Sequence, residues 1–384
     1  MPAVATPSPR SEARARLRDL GIVIGRYPPG KWNAITDVAG VKVGHKTVIK
    51  GKGKLVPGKG PARTGVTAIV PRDDVWNKKV FAGSFVLNGN GELTALNWVR
   101  EAGWLETPIL LTDTLSVGRV ADAMVSWMNR TYPDHGIEDD VVLPMVGECD
   151  DGYLNDQQGR HVREADVFEA LDRAATGPVA EGAVGAGTGM ISYRHKAGIG
   201  TASRKLPAAE GGWTVGVLVN ANIGRQSLVL AGVPVGEEIK PPGWKAEWGS
   251  RPRRGDEPRE GSIIVVVATD APLLPHQLDR VAKRAAMGIP RTGSPAHHGS
   301  GDLVVAFSTA NVVPHYPPEL TMPVTALNNT RIDPLFEAAA EAAEEAIGNS
   351  LTMATTTEGR DGHIAHALPL ARLREVMKKY GRLK

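Results

Sequence analysis

A chain of 384 residues with 42% apolar side chains can bury one large core or two ordinary ones, which excludes an intrinsically disordered protein. Its 45 basic and 42 acidic residues leave a formal charge of only +3, too mild to argue for a nucleic-acid or membrane partner. The single cysteine, Cys149, excludes an intrachain disulfide framework and a CxxC-type zinc site, and it fits a reducing, cytoplasmic setting.

Residues 1–18 are rich in Pro, Ala, Arg and Ser and lack the apolar stretch of a secretory signal. No run of eighteen apolar residues occurs, so no membrane span is expected. Residues 1–29 read as an N-terminal arm, with a short helix over 11–20, and residues 30–384 as one domain. A turn and an alternating strand are expected over 35–45, a Lys/Gly/Pro surface loop over 50–62, and strands over 63–71 and 81–87. Helical spacing follows over 95–102, an apolar strand over 108–111, and a helix over 117–129 with Val120, Ala121, Met124, Val125 and Met128 on one face. A strand over 141–148 runs into Cys149-Asp150-Asp151-Gly152, and a short helix is expected over 166–175.

The stretch 182–190 is glycine-dense. A strand over 214–219 runs into Asn220-Ala221-Asn222. Residues 236–260 form a charged, Pro-containing connection. It reads as a loop inserted into one domain, because the strands on both sides need covered faces. Ile263, Ile264, Val265, Val266 and Val267 then read as a strand buried on both faces. Further on come a helix over 275–287 ended by Gly288, a strand over 303–308, and a helix over 334–347 capped by Asp333 with Pro334 in its first turn. The pattern is mixed α/β without repeats.

Few of the familiar chemical motifs survive inspection. Gly185-Ala186-Gly187-Thr188-Gly189-Met190 has its third glycine in the wrong place for a dinucleotide fingerprint, and no Gly-Lys-Ser/Thr phosphate loop exists. Close backbone packing explains that segment better. His297-His298 and His363-x-x-His366 lack a helix with an intervening glutamate, so neither a metal nor a cofactor is expected. No Gly-x-Ser-x-Gly elbow is present. A serine nucleophile would need another source of activation. An N-terminal serine carries its own, since its α-amine titrates near neutrality. Cutting at Gly261-Ser262 would create such a group where loop gives way to strand. The pairs Gly249-Ser250 and Gly299-Ser300 show that the dipeptide alone decides nothing; Ser250 is followed by more loop, which would not hold a nucleophile still.

Nine segments together resemble one family. They are 33–45 (Asn33-Ala34-Ile35-Thr36-Asp37 onward), 63–68, Gly89-Asn90-Gly91-Glu92-Leu93-Thr94, Gly152-Tyr153-Leu154-Asn155-Asp156, 182–190, 198–204, 217–224, 261–273 and 300–311. The chain resembles the self-processing serine aminopeptidases of the DmpA type, the L-aminopeptidase/D-esterase and β-peptidyl aminopeptidase group. The resemblance implies a four-layer αββα sandwich and autoproteolysis into residues 1–261 and 262–384. It implies a homo-oligomer of cleaved pairs, acting on small peptides, amides or esters with a free amino end. It implies that Ser262 is the nucleophile and its own amine the proton shuttle. By the same resemblance Ser300 would orient the nucleophile, Asp302 would fix Ser300, Asn222 would donate to the oxyanion, and Glu148 would receive the substrate's ammonium group.

Two departures stand out against the family pattern. Asp150 replaces an aromatic residue two positions after the matching glutamate, which points to a more acidic pocket. The lead-in 250–260 is longer and more charged. Two rival readings are an acyltransferase of the related ornithine acetyltransferase fold, which normally cuts before threonine, and a non-catalytic binding relative.

Overall fold

A computed structural model describes residues 13–224, 227–242 and 261–383. The first twelve residues of the arm and most of the 236–260 connection, including its charged part 250–260, lie outside the described residues.

Among the described residues, ten strands build two main sheets: β1 (Lys42–Lys50), β2 (Ala62–Val70), β3 (Lys78–Gly89), β4 (Trp104–Leu105), β5 (Ile109–Asp113), β6 (Met145–Cys149), β7 (Ile199–Lys205), β8 (Thr214–Ala221), β9 (Ile263–Thr269) and β10 (Gly301–Pro314). The smaller sheet has the order β1-β2-β5-β6 and the larger β4-β3-β10-β9-β8-β7. The pairs β5–β6 and β9–β10 are parallel and the other neighbours antiparallel. Six helices of at least two turns accompany them: α1 (Leu96–Ala102), α2 (Val117–Thr131), α3 (Glu164–Asp172), α4 (Pro275–Ala285), α5 (Asp333–Thr352) and α6 (Leu370–Lys379).

The period-2 alternation of side chains sorts the strands into layers. Ile264 and Val266 of β9, with Leu303, Val305 and Phe307 of β10, meet Ile109 and Leu111 of β5 and Met145 of β6 in a core between the sheets. The alternate residues Ile263, Val265 and Val267 face the other way, onto Leu278 and Val281 of α4 and Ala339, Ala342 and Ala346 of α5. On the far side, Val66, Leu110 and Val146 pack on Val120, Met124 and Met128 of α2 and on Val167 of α3. The order is therefore helix, sheet, sheet, helix. Every residue of β9 is buried, as its unbroken apolar run requires.

Several expected elements change at their edges for local reasons. The strand expected over 141–148 begins only at Met145; Pro144 has no N–H for a ladder, and Val141 is exposed. The helix expected over 11–20 is one turn, Arg18–Leu20, closed by Gly21 at φ 83°. Gly288 does not stop the chain's helical course. A further turn, Gly288–Arg291, follows because Ile289 is drawn into the core. Asp333 is no cap: Ile332 before it is already helical, and Asp333 lies inside the first turn with Pro334. β7 and α6 were not expected. β7 alternates apolar residues with buried polar ones, and its Arg204 is wholly enclosed by Glu341 (3.0 Å) and Glu345 (2.8 Å) of α5. No helix of the described residues is long and apolar enough to cross a membrane.

Candidate active site

The connection that joins β8 to β9 leaves and returns at one end of the larger sheet. There Ala221 of β8 lies opposite Ile263 of β9, and Ile263 pairs in parallel with Asp302 of β10. Ser262 sits one residue before the ladder starts. Its carbonyl accepts the Asn222 N–H at 3.0 Å. The Cys149 thiol reaches the same oxygen at 3.3 Å and the Asn220 carbonyl at 3.4 Å. Burial pushes that thiol well above its ordinary range, so it serves as a neutral S–H donor. The Ser262 hydroxyl oxygen accepts the Gly301 N–H at 3.2 Å. The residue before it admits no side chain: a Cβ on Gly261 would lie 1.5 Å from the Asn222 carbonyl oxygen and 2.7 Å from its Nδ2.

The next turn brings Ser300 and Asp302 to the same place. The Ser300 hydroxyl donates to Asp302 Oδ1 at 2.6 Å. Oδ2 of Asp302 is buried with no hydrogen-bond partner among the described residues. Burial pushes this carboxyl up to about 6, against the opposing pull of the Ser300 hydroxyl. Asp302 thus holds the Ser300 hydroxyl, and among the described residues no hydrogen bond joins that hydroxyl to the Ser262 side chain. The backbone amide of Gly301 makes that contact. Gly301 can take that position because the chain there presses on its neighbour: a Cβ would fall 2.5 Å from the Asn90 carbonyl oxygen. Two asparagines hold the turn, Asn90 donating to the Gly299 carbonyl at 2.9 Å and Asn88 to the His297 carbonyl at 2.8 Å.

Asn222 is clamped at both ends of its amide. Oδ1 accepts the Ile191 N–H at 2.8 Å, and Nδ2 donates to the Asp150 carbonyl at 2.7 Å. The amide is held with its donor side beside Gly261.

Facing Ser262 is a cleft of about 610 Å³, lined by Asn90, Gly91, Glu92, Thr114, Glu148, Asp150 and Gly299. Glu148, the penultimate residue of β6, is 3% exposed. Its Oε1 accepts the Glu92 N–H at 3.1 Å and its Oε2 the Thr114 hydroxyl. Burial pushes this carboxyl up; the Thr114 and Glu92 donors oppose the rise, and the charges of Asp150 and Asp113 add to it. No cation pairs with it among the described residues. Asp150 fixes its own loop, Oδ1 accepting the Gly152 N–H at 2.7 Å and the Gln157 side-chain amide at 2.9 Å. Behind the cleft lie two more buried carboxyls, Asp113 and Asp151, both pushed up by burial.

The structure brings Gly261, Ser262, Ser300, Asp302, Asn222, Glu148 and Asp150 to this one place. Sequence reasoning missed Thr114, Glu92 and the Gly301 amide. Glu92 lies in a segment that carried the family resemblance, though nothing in it signalled a role. Thr114 follows the apolar strand β5 without any motif. The glycine-dense segment is a buried turn, Gly185–Gly189. The Lys196 ammonium takes its Gly187 carbonyl at 3.0 Å and the neighbouring Met190 carbonyl at 2.8 Å. Among the described residues no group of three or more His, Cys, Asp or Glu side chains is placed to hold a metal ion.

Chemically, the arrangement sets a hydroxyl and a carboxyl without a counter-charge among the described residues around one open volume, with the Asn222 amide behind Gly261. Comparison with known proteins leads to the same chemistry. The model of peptidase family S58 matches residues 33–365. The β-peptidyl aminopeptidase BapA of Sphingosinicella microcystinivorans is 46% identical over 374 residues, covering 96% of this chain and 93% of the relative. The crystal structure of the PH0078 protein from Pyrococcus horikoshii OT3 superposes with a TM-score of 0.89 at 50% identity, over 96% of this chain and all of that one. The L-aminopeptidase D-Ala-esterase/amidase of Ochrobactrum anthropi, described as a prototype of the serine aminopeptidases and a variant of the Ntn hydrolase fold, superposes with a TM-score of 0.86 at 41% identity, over 96% and 99% of the two chains.

Proposed function

The chain belongs to peptidase family S58 and is a serine aminopeptidase, and from that premise we propose that Ser262 is its nucleophile, freed by self-cleavage, and that Glu148 reads the substrate's free amino end. One observation carries this: Ser262 and a buried Glu148, which has no cationic partner among the described residues, line the same cleft. An anion kept out of water without a counter-charge is costly, and a bound ammonium group would relieve that cost.

Cleavage starts from the intact chain. The Ser262 hydroxyl oxygen attacks the Gly261 carbonyl carbon, the Gly261–Ser262 C–N bond breaks as the hydroxyl proton passes to the released nitrogen, and the acyl group moves to Oγ. Water then hydrolyses the ester, leaving a carboxylate on Gly261 and an α-amine on Ser262. In turnover that amine takes the hydroxyl proton as Oγ attacks the substrate's acyl carbon. The Asn222 amide stabilises the oxyanion, and the leaving group departs with the proton. Water, deprotonated by the same amine, releases the acyl group from Ser262. The substrates are small peptides, amides or esters with a free amino group near the acyl carbon, in the α or β position.

Mass spectrometry of the purified protein tests this directly. The expected result is two chains, the smaller beginning at Ser262. Ser262→Ala stays whole and loses hydrolysis of aminoacyl p-nitroanilides by roughly four or more orders of magnitude. A protein that remains one chain yet turns over these anilides at full rate would overturn the assignment.

A further inference from the structure

The cleft beside Ser262 holds more negative charge than one ammonium group needs. Besides Glu148 it is lined by Asp150 and Glu92, and among the described residues that line it none is Lys, Arg or His. The site stands on independent grounds, since the 5%-exposed Ser262 hydroxyl lines the same volume. Glu148 is the penultimate residue of β6, and Asp150 is the first residue beyond that strand; both line the cleft. Glu148 is taken up by the amino end on the reading above, and the inference rests on that reading.

Asp150 is differently placed. Its Oδ1 is saturated by the Gly152 N–H and the Gln157 amide, which lock the side chain. No further hydrogen bond to its carboxylate forms among the described residues, which leaves Oδ2 for a ligand. Glu92 gives its backbone N–H to Glu148 while its side chain stays exposed at the cleft.

We propose that Asp150, with Glu92 beside it, makes the cleft selective for acyl residues that carry a second cation, namely lysyl, ornithyl and their β-amino counterparts. An ammonium group on a flexible stem of three or four carbons spans the gap between the two carboxylates. A neutral side chain of equal length leaves Asp150 and Glu92 without a counter-charge in the cleft. The preference is therefore electrostatic and weakens with salt.

The experiment compares lysyl- with norleucyl-p-nitroanilide, a pair of similar length that differs in the terminal ammonium, in both the α- and the β-amino series. Alanyl-p-nitroanilide serves as the reference. In the processed wild-type enzyme the lysyl substrate is favoured about tenfold in kcat/KM, through KM, at low salt. The lysyl-to-norleucyl ratio falls toward one in Asp150→Asn, which keeps the acceptor for Gly152, and falls partway in Glu92→Gln. A wild-type ratio of one or below overturns the proposal without any variant, as does a ratio that survives in the Asp150→Asn/Glu92→Gln double variant. Turnover of the alanyl reference without a lysyl preference sinks this inference alone. Absence of turnover on all three by processed enzyme removes the assignment of Ser262 and Glu148 together with it.

Discussion

The two walls of the cleft are built by different means. The Ser262 wall is backbone: strand ends in fixed register, a carbonyl held by Asn222, an amide from Gly301, and a glycine with no room for a Cβ. The Glu148 wall is side chain: carboxyls at the end of β6, just beyond it and after β3, with Glu148 and Asp150 held by a threonine hydroxyl, a backbone N–H and a glutamine amide. A backbone wall tolerates no change in shape but is indifferent to charge. A side-chain wall keeps its shape under isosteric substitution and answers to charge. The first suits bond making and breaking, and the second suits selection of what is bound.

The contrast is broken most severely by adding one methyl group to the backbone wall. In Gly261→Ala the new Cβ must displace the Asn222 carbonyl from 1.5 Å, and β8 and β9 cannot both keep their register. The expected outcome is an unprocessed chain without aminopeptidase activity, seen as a single band and a single mass. Efficient cleavage before Ser262 in this variant would show that the wall is softer than its packing implies.

Next in size is Asn222→Ala, which keeps the register but removes the amide beside Gly261. A single oxyanion donor is worth about 10²- to 10³-fold in kcat. The loss should fall on kcat, measured on protein whose processing has been confirmed. A loss confined to KM would place Asn222 in binding instead.

On the side-chain wall, Glu148→Gln preserves shape and deletes charge. Removal of a charge-assisted contact to the substrate's ammonium raises KM about 10- to 100-fold, with a smaller change in kcat. Equal losses in both walls' kcat would erase the division of labour between them.

The backbone wall was the more legible of the two in the sequence. The run from Ile263 to Val267 demands a strand covered on both faces, and that strand carries Ser262 to a fixed point. The layer order was implied by the family resemblance; the unbroken apolar run of β9 says only that both its faces are covered. What stayed hidden depends on distant residues meeting. Thr114 follows β5 and Glu92 follows β3, and only the parallel pairing of β5 with β6 brings Thr114 against Glu148. β7 was obscured because its buried polar residues, Ser203 and Arg204 among them, are satisfied by Asp37 on one face and by Glu341 and Glu345 on the other. The Ser300 hydroxyl turns to Asp302 and leaves the nucleophile to a backbone amide, which no side-chain pattern announces.

The smallest expected effect is also the one that separates charge from shape most cleanly. Thr114 donates to Glu148 Oε2, and among the influences that keep this carboxyl ionised it comes first, ahead of the Glu92 N–H. Glu148 grips an ammonium only as the carboxylate, so the grip is full above its pKa and is lost as pH falls through it. Burial has raised that pKa, so KM should begin to climb on the acid side at a higher pH than an ordinary glutamate would give. Thr114→Val removes the donor at nearly constant volume, raises the carboxyl further, and moves the climb to higher pH still. At neutral pH the change in KM stays below about tenfold, and Thr114→Ser restores the wild-type profile. Protonation of the Ser262 amine acts on kcat. The two titrations are therefore distinguished by following the inhibition constant of an amino-acid amide, whose ammonium group stays charged across the acid range. A Thr114→Val profile that coincides with wild type would mean that the carboxyl is held ionised from elsewhere in the cleft.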